Sequence, residues 1–359
     1  MRRLLRRLWK FVKWTSVIGV AALVILCLPV GYIELACRGH ATPQAYTPAI
    51  EPAQQRREAN TYLTYPEWHI VYAYDGLAET LKRGDEYAFD YASSVAGFWR
   101  SSCALMRVAD AHGGADWSTR SMIHTIGVSF TVEMALKAAY EETVGRAAAG
   151  LRGERKTPQD AAIAGMAARY AAFLRQTPWY RYPFGRDTGE LWAAPVDGVV
   201  RGWERRLGIG TEFTVKRLYA KAIAAAAASD PAPLRIRSIV AGLDRTTLSQ
   251  IPDVSVIGER GSGVEIDTPR YDLFTRILVA IARQGGTITE IAGNDDIMVT
   301  VTVPPGSDGR VAVGTLLTRM KRSGFPGDRL IVDLKVRDLT SFLNTYHLGD
   351  PGLEHVFDY

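Results

Sequence analysis

The chain is poor in cysteine and histidine, with three and six respectively in 359 residues. Three thiols exclude a disulfide-rich scaffold. No Cys-x-x-Cys, His-x-x-x-His or Glu-x-x-His spacing occurs, so the usual metal signatures are missing. The Cys-x-x-Cys-His pattern of covalent haem is missing too, and no motif names a cofactor. There is no Gly-x-Ser-x-Gly elbow of a serine hydrolase and no Gly-x-Gly-x-x-Gly of a dinucleotide site. Gly261-Ser262-Gly263 lacks the residues that complete a phosphate loop and reads as a turn between strands. No tandem repeat is evident. A basic footprint is also lacking. The net charge is +5, but six of the 43 basic residues precede Trp14, leaving 37 against 38 acidic ones. That balance excludes a nucleic-acid partner.

Long apolar runs are equally scarce, with one exception. Trp14 to Ile33 carries no charge, and twenty helical residues span about 30 Å, the thickness of a bilayer core. The segment predicts a single transmembrane helix and makes the membrane the first partner. Arg2, Arg3, Arg6, Arg7, Lys10 and Lys13 stand before it, and Arg38 alone soon after. That asymmetry predicts a cytoplasmic N-terminus. The abundance of Ala, Arg and Gly suits a GC-rich bacterial genome, so the expectation is a bacterial inner-membrane protein with its main domains in the periplasm. A signal-peptide cut after Ala36 sets Glu34 at −3, where a small residue belongs. A lipid on Cys37 meets the same Glu34 where an apolar residue belongs. The anchor is therefore read as uncleaved.

Five segments are expected: 1–38 basic start and anchor, 39–59 linker, 60–230 helical domain, 231–346 α+β domain and 347–359 tail. Pro43, Pro48 and Pro52 mark the linker as extended and mobile. Thr64-Tyr65-Pro66-Glu67 opens a first helix that Gly84 closes, with Ile70, Tyr74, Leu77 and Leu81 as its apolar stripe. A second helix runs from near Asp85 to His112-Gly113-Gly114. A third, from about Ser118 to Arg146, is apolar on most of its circumference and reads as the centre of its bundle. A fourth begins at Thr157-Pro158-Gln159-Asp160 and stops before Thr177-Pro178. Residues 202–207 form a short helix and 211–228 a longer one, stopped at Ser229-Asp230-Pro231.

Beyond Pro233 β-branched alternation takes over. Strands are expected at 234–240 and 253–257. The order that follows is strand 264–267, helix 271–283, hairpin 287–291 with 297–303, helix 313–322 and strand 329–336. This β-α-β-β-α-β order predicts a ferredoxin-like α/β sandwich, so the fold class is α+β multidomain. The tail, with His347 and His355, reads as irregular.

Three constellations carry possible chemistry. Glu67, His69, His124 and Glu133 lie on the first and third helices and are the catalytic candidates, since a carboxylate and an imidazole near aromatic walls do acid–base work. Each also has a bland reading: a favourable helix start, a boundary histidine, and a Glu133–Lys137 ion pair along one helix. The aromatic loop is the binding candidate. Trp179, Tyr180, Arg181, Tyr182, Phe184, Arg186 and Trp192 combine residue types enriched at protein interfaces, and they equally suit a lipid headgroup or a plug over the helical core. Cys37 and Cys103 are able to pair in an oxidising compartment, although Cys103 reads first as a small apolar group on its helix. The function expected is a binding or scaffold module of the cell envelope, with a protein or lipid partner. The alternative is a tethered periplasmic enzyme, or a ligand- or metal-binding protein, with its pocket in the helical domain.

Overall fold

The uncharged segment lies in one long helix, α1 (Arg2–Ala36), of a computed structural model that describes residues 2–40, 42, 46–227 and 234–359. Within α1, Lys13–Ala36 is long and apolar enough to cross a membrane, with a mean hydropathy of 2.4. Only 6% of that stretch is buried, and Val20, Leu23, Val24, Ile25 and Leu28 all point away from protein. A core helix of a soluble domain would hide such side chains.

The helical region follows its sequence signals closely. After a short α2 (Ala59–Leu63), α3 (Tyr65–Arg83) opens on Pro66 and ends at Gly84. Helix α4 (Tyr91–Ala111) is capped by Asp90 and stops at His112. Helix α5 (Trp117–Tyr140) is capped by Asp116 and runs through a π-helical turn, Glu141–Gly145, into α6 (Arg146–Arg152). The Thr157–Asp160 capping box starts α7 (Pro158–Leu174). Helix α8 (Phe184–Ala193) then leads to α9 (Val199–Ala227).

Two helix expectations change. Helix α5 is not the centre of a bundle. It buries Ile123, His124, Gly127, Phe130 and Met134 along one side and leaves Trp117, Met122 and Leu136 exposed. The two helices expected at 202–228 are one, because Gly208 and Gly210 are not breaks. A Cβ on Gly208 would stand 2.4 Å from the Tyr140 hydroxyl, so glycine serves close approach there. The stop at Ser229-Asp230-Pro231 lies outside the described residues.

The β region consists of β1 (Arg235–Ala241), α10 (Arg245–Ser249), β2 (Ser255–Arg260), β3 (Gly263–Pro269), α11 (Asp272–Arg283), β4 (Thr287–Ile291), β5 (Asp296–Val303), β6 (Thr315–Lys321), β7 (Asp328–Lys335), α12 (Val336–Thr345) and β8 (Gly352–Val356). These strands form two antiparallel sheets, ordered β2-β3-β1-β4 and β6-β7-β5-β8. The single sheet expected from 264–336 is therefore corrected. β4 and β5 are not a hairpin: Ala292 and Gly293, both at positive φ, turn the chain from one sheet into the other. Residues 313–322 are not a helix, because the segment pairs with β7 and becomes a sheet edge. The tail at 347–359, expected to be irregular, contains the strand β8, and α12 lies just before it.

The two sheets are an internal repeat. Each adds its strands in the same order and with the same pairing. The irregularities fall at matching places: between Ile239 and Val240 as between Thr300 and Val301, and between Val256 and Gly258 as between Leu316 and Thr318. Ile239 and Gly258 both oppose Glu265, whereas Thr300 and Thr318 both oppose Ile331. Bulges are specific local features, so their coincidence fixes the correspondence residue by residue. The halves share one core, in which Phe274, Leu278 and Ile281 of α11 meet Leu339 and Phe342 of α12.

Their outer faces differ. On the second sheet Met298 and Ile331, with Phe357 beyond β8, join Tyr62, Tyr65 and Trp68 of the helical region in one buried cluster. On the first sheet the face is charged, and the segment before the helices lies across it. Glu290 accepts hydrogen bonds from Tyr46 Oη at 2.6 Å and from the backbone of Ala49 and Ile50. Arg56 donates to the Tyr359 carbonyl at 2.7 Å. The linker expected to be mobile is in this stretch a docked strap, with Ile50 fully buried.

Candidate functional site

The exit of α1 is the first place where distant segments converge. Glu34 receives His124 Nε2 at 2.8 Å and Arg120 Nε at 3.2 Å from α5. Arg38 grips Asp110 of α4 through Nε at 2.7 Å and Nη2 at 2.9 Å, and the Gly39 amide donates to the same carboxylate. Cys37 and Cys103 form a disulfide. Cys103 is therefore more than the small apolar group its helical setting favours. Together these bonds fuse α1 to α4 and α5 without an intervening hinge.

The four catalytic candidates have separate partners. Glu67 stands exposed in the first turn of α3. His69 is buried, and its Nε2 lies 2.8 Å from the Ser94 carbonyl. A carbonyl only accepts, so Nε2 carries the proton of a neutral ring. Burial pushes its pKa down to about 4. His124 belongs to the Glu34 clamp. Glu133 accepts from the Tyr74 hydroxyl and pairs with Lys216 at 2.5 Å. Lys137 reaches across to Glu212 instead, at 2.7 Å, so the expected Glu133–Lys137 pair does not form. Among the described residues no hydrogen bond or ion pair joins any two of the four.

The aromatic segment is a 3-10 turn, Trp179–Arg181, followed by α8. Tyr182 and Phe184 plug the helical core beside Tyr170 and Phe213. Trp179 stacks on Tyr219, Tyr180 is half-buried beside Arg181, and Arg186 pairs with Glu190 at 3.1 Å. Trp192 remains exposed. Its ring lies 6.2 Å from that of Trp203 on α9, with the Arg206 guanidinium 5.5 and 5.6 Å from the two. From there an apolar stripe follows α9 outward: Val200, Trp203, Leu207, Val215 and Leu218 are all exposed. With Thr211 they recur at intervals of 3, 4, 4, 4 and 3, which is one helix face. Two of the seven binding candidates thus fill the core, and the exposed aromatic surface continues onto α9, a region the sequence marked as helical without a binding role.

A further group of ionisable side chains lies at the seam between the helical and β regions. Glu58 comes from the end of the strap, His112 from the C-terminus of α4, and Asp296 from the start of β5. Their ligand atoms lie within 4.8 Å of one another. His112 Nδ1 is 2.6 Å from Glu58 Oε1 and 3.6 Å from Asp296 Oδ2. Tyr62 Oη donates to Asp333 Oδ1 at 2.7 Å and lies 3.3 Å from His112 Nδ1. Lys335 Nζ reaches Asp296 at 2.6 Å and Asp295 at 3.0 Å. Burial raises the pKa of Glu58 and of Asp333. For His112 burial works against the charged ring, but the bond to Glu58 and the surrounding carboxylates prevail and raise it. The group holds an excess of negative charge in partial shelter from water. Sequence reasoning missed it because His112 reads as part of a helix stop, and Asp296 as part of a turn.

A scan against protein-family models and searches of curated proteins and solved structures find no match to the chain.

Proposed function

We propose that the chain is a single-pass protein of a bacterial inner membrane whose folded part is a binding or scaffold module on the periplasmic side. The observation that carries this reading is the Cys37–Cys103 disulfide one residue beyond the candidate span, since such bonds persist in oxidising compartments. Six basic residues on the other flank of the span support the same orientation. The rigid exit of α1 suits a module held at a fixed height above the bilayer. Trp117 and Met122 of α5, exposed close to Glu34 and Arg120, suit contact with the headgroup region. Each half of the β region supports a ferredoxin-like reading, because β4-β1-β3-β2 and β8-β5-β7-β6 are its all-antiparallel strand order. The partner is a protein that lies along α9 at Trp203 and Leu207, since Trp and Arg supply most of the energy at interfaces.

Alkaline phosphatase fused after Tyr359 tests the orientation. Active enzyme, with Cys37 and Cys103 reacting with maleimide only after reduction, is the expected result. An inactive fusion with freely reactive thiols would place the domains in the cytoplasm. A photo-crosslinking amino acid at Trp203 tests the partner face. A discrete protein adduct is expected there and not from Glu259 on the first sheet. Only lipid adducts, or equal labelling at both positions, would remove the protein-scaffold reading.

A further inference from the structure

The seam cluster has the makings of a metal site. Its three converging donors are an imidazole nitrogen and two carboxylate oxygens, a mixed set that first-row divalent ions favour over magnesium or calcium. Glu58 is 4% and Asp296 8% exposed, so the donors are held by the fold rather than displayed on a mobile surface. Four carboxylates, those of Glu58, Asp295, Asp296 and Asp333, face one lysine and one imidazole. Tyr62 fixes Asp333 beside the ring, as the outer partners of metal ligands do. Buried charge of one sign is costly until a cation joins it.

We infer that Glu58, His112 and Asp296 bind a divalent transition cation of the zinc class, with His112 coordinating through Nδ1. Zinc ligand bonds of about 2.0–2.2 Å set neighbouring donor atoms roughly 3–3.6 Å apart. The 4.8 Å spread therefore needs a contraction of about 1 Å, while the 2.6 Å His112–Glu58 contact must open as the ion takes the place of the shared proton. Lys335 is the competitor, because its ammonium sits on Asp296. Its side chain is 41% exposed and free to withdraw toward Asp295. Since the three ligands come from the strap, the helical region and the β region, the ion would act as a clasp across the seam. This inference does not depend on the orientation of the chain in a membrane.

The test uses the full chain in detergent, stripped with chelator and titrated with zinc chloride by calorimetry at pH 7.5. Cobalt(II) absorption serves as a second probe. The expected result is one ion per chain, with affinity at least tenfold weaker in His112→Ala and in Asp296→Asn, both checked for native circular dichroism. Lys335→Met removes the competing ammonium, and tighter binding by about tenfold is expected. No saturable uptake by the wild type and by Lys335→Met would overturn the site. So would uptake that His112→Ala and Asp296→Asn leave unchanged.

Discussion

Glu265 and Ile331 occupy the same position in the two halves of the β region. Each opposes a central strand on one side and a bulged edge strand on the other. Glu265 pairs with Arg237 at 3.3 Å and Arg260 at 2.8 Å beneath the strap. Ile331 sits in the apolar cluster against Tyr65 and Trp68. One scaffold thus presents a charged face to a polar strap and an apolar face to a helical region. The difference at this repeated position is one of those that separate the sheet docked on the helices from the sheet beneath the strap.

Exchanging the two characters should be strongly asymmetric. Ile331→Glu buries a carboxylate with no cation prepared for it, and a loss of roughly 3–5 kcal/mol is expected. Glu265→Ile leaves Arg237 paired with Asp267 and Arg260 paired with Glu51, both partly exposed to water, so a clearly smaller loss is expected. Denaturant unfolding of the two variants checks this. Equal losses would mean that the helical region does not depend on the second sheet's apolar face.

Such differences explain why the repeat was hidden in the sequence. Matching positions carry Arg237 and Met298, Glu265 and Ile331, or Glu290 and His355, which no composition-based comparison aligns. Residues 313–322 contain Leu316, Leu317 and Met320, all good helix formers, and only pairing with β7 makes them a strand. What was legible was local. The Thr157–Asp160 box, Pro66 in a first turn and the strands at 287–291 and 297–303 rest on neighbours a few residues away. The seam cluster is not of that kind. Glu58, His112 and Asp296 meet only because the strap, α4 and β5 close on one another, and no spacing in the chain encodes it.

The disulfide should contribute in proportion to the loop it closes. Cys37 and Cys103 are 66 residues apart, and loop entropy assigns such a cross-link up to about 4 kcal/mol. Cys103→Ser in the full chain in detergent should lower the midpoint of thermal unfolding by several degrees. Reductant should do the same to the wild type and nothing further to the variant. A wild type indifferent to reductant would show that the Glu34 and Arg38 clamps alone hold the exit of α1.

Acid should unfold the protein partly through its buried histidines. His69 has a folded pKa pushed down to about 4 by burial, against about 6.5 when exposed. Above 6.5 both states leave the ring neutral and stability is unaffected. Between 6.5 and 4 the unfolded chain takes up a proton that the native ring refuses, so stability falls as pH drops, by roughly 3 kcal/mol at the lower end. His355 is shifted in the same direction by burial and then by Arg175. His69→Gln keeps an N–H for Ser94 and removes one of the two titrations. Its stability should fall less steeply over this range, by about 1.4 kcal/mol per pH unit, than that of the wild type. Parallel acid limbs would show that His69 reaches water in the native state.

Glycines inside helices separate packing from propensity. Gly189 in α8 has open space where a Cβ would go, so Gly189→Ala should gain about 0.5–1 kcal/mol from reduced backbone freedom. Gly208 in α9 has the Tyr140 hydroxyl in that space, and this hydroxyl in turn donates to Glu204 Oε1 at 2.7 Å. Gly208→Ala has the same propensity gain but displaces the ring and its bond, so a net loss of about 1–3 kcal/mol is expected. Adding Tyr140→Phe removes the hydroxyl that the new methyl meets. Gly208→Ala should therefore cost less in a Tyr140→Phe background than alone, and a double-mutant cycle reads the difference directly. Additive effects would mean that α5 and α9 are farther apart than this contact requires, and that Gly208 is there for another reason.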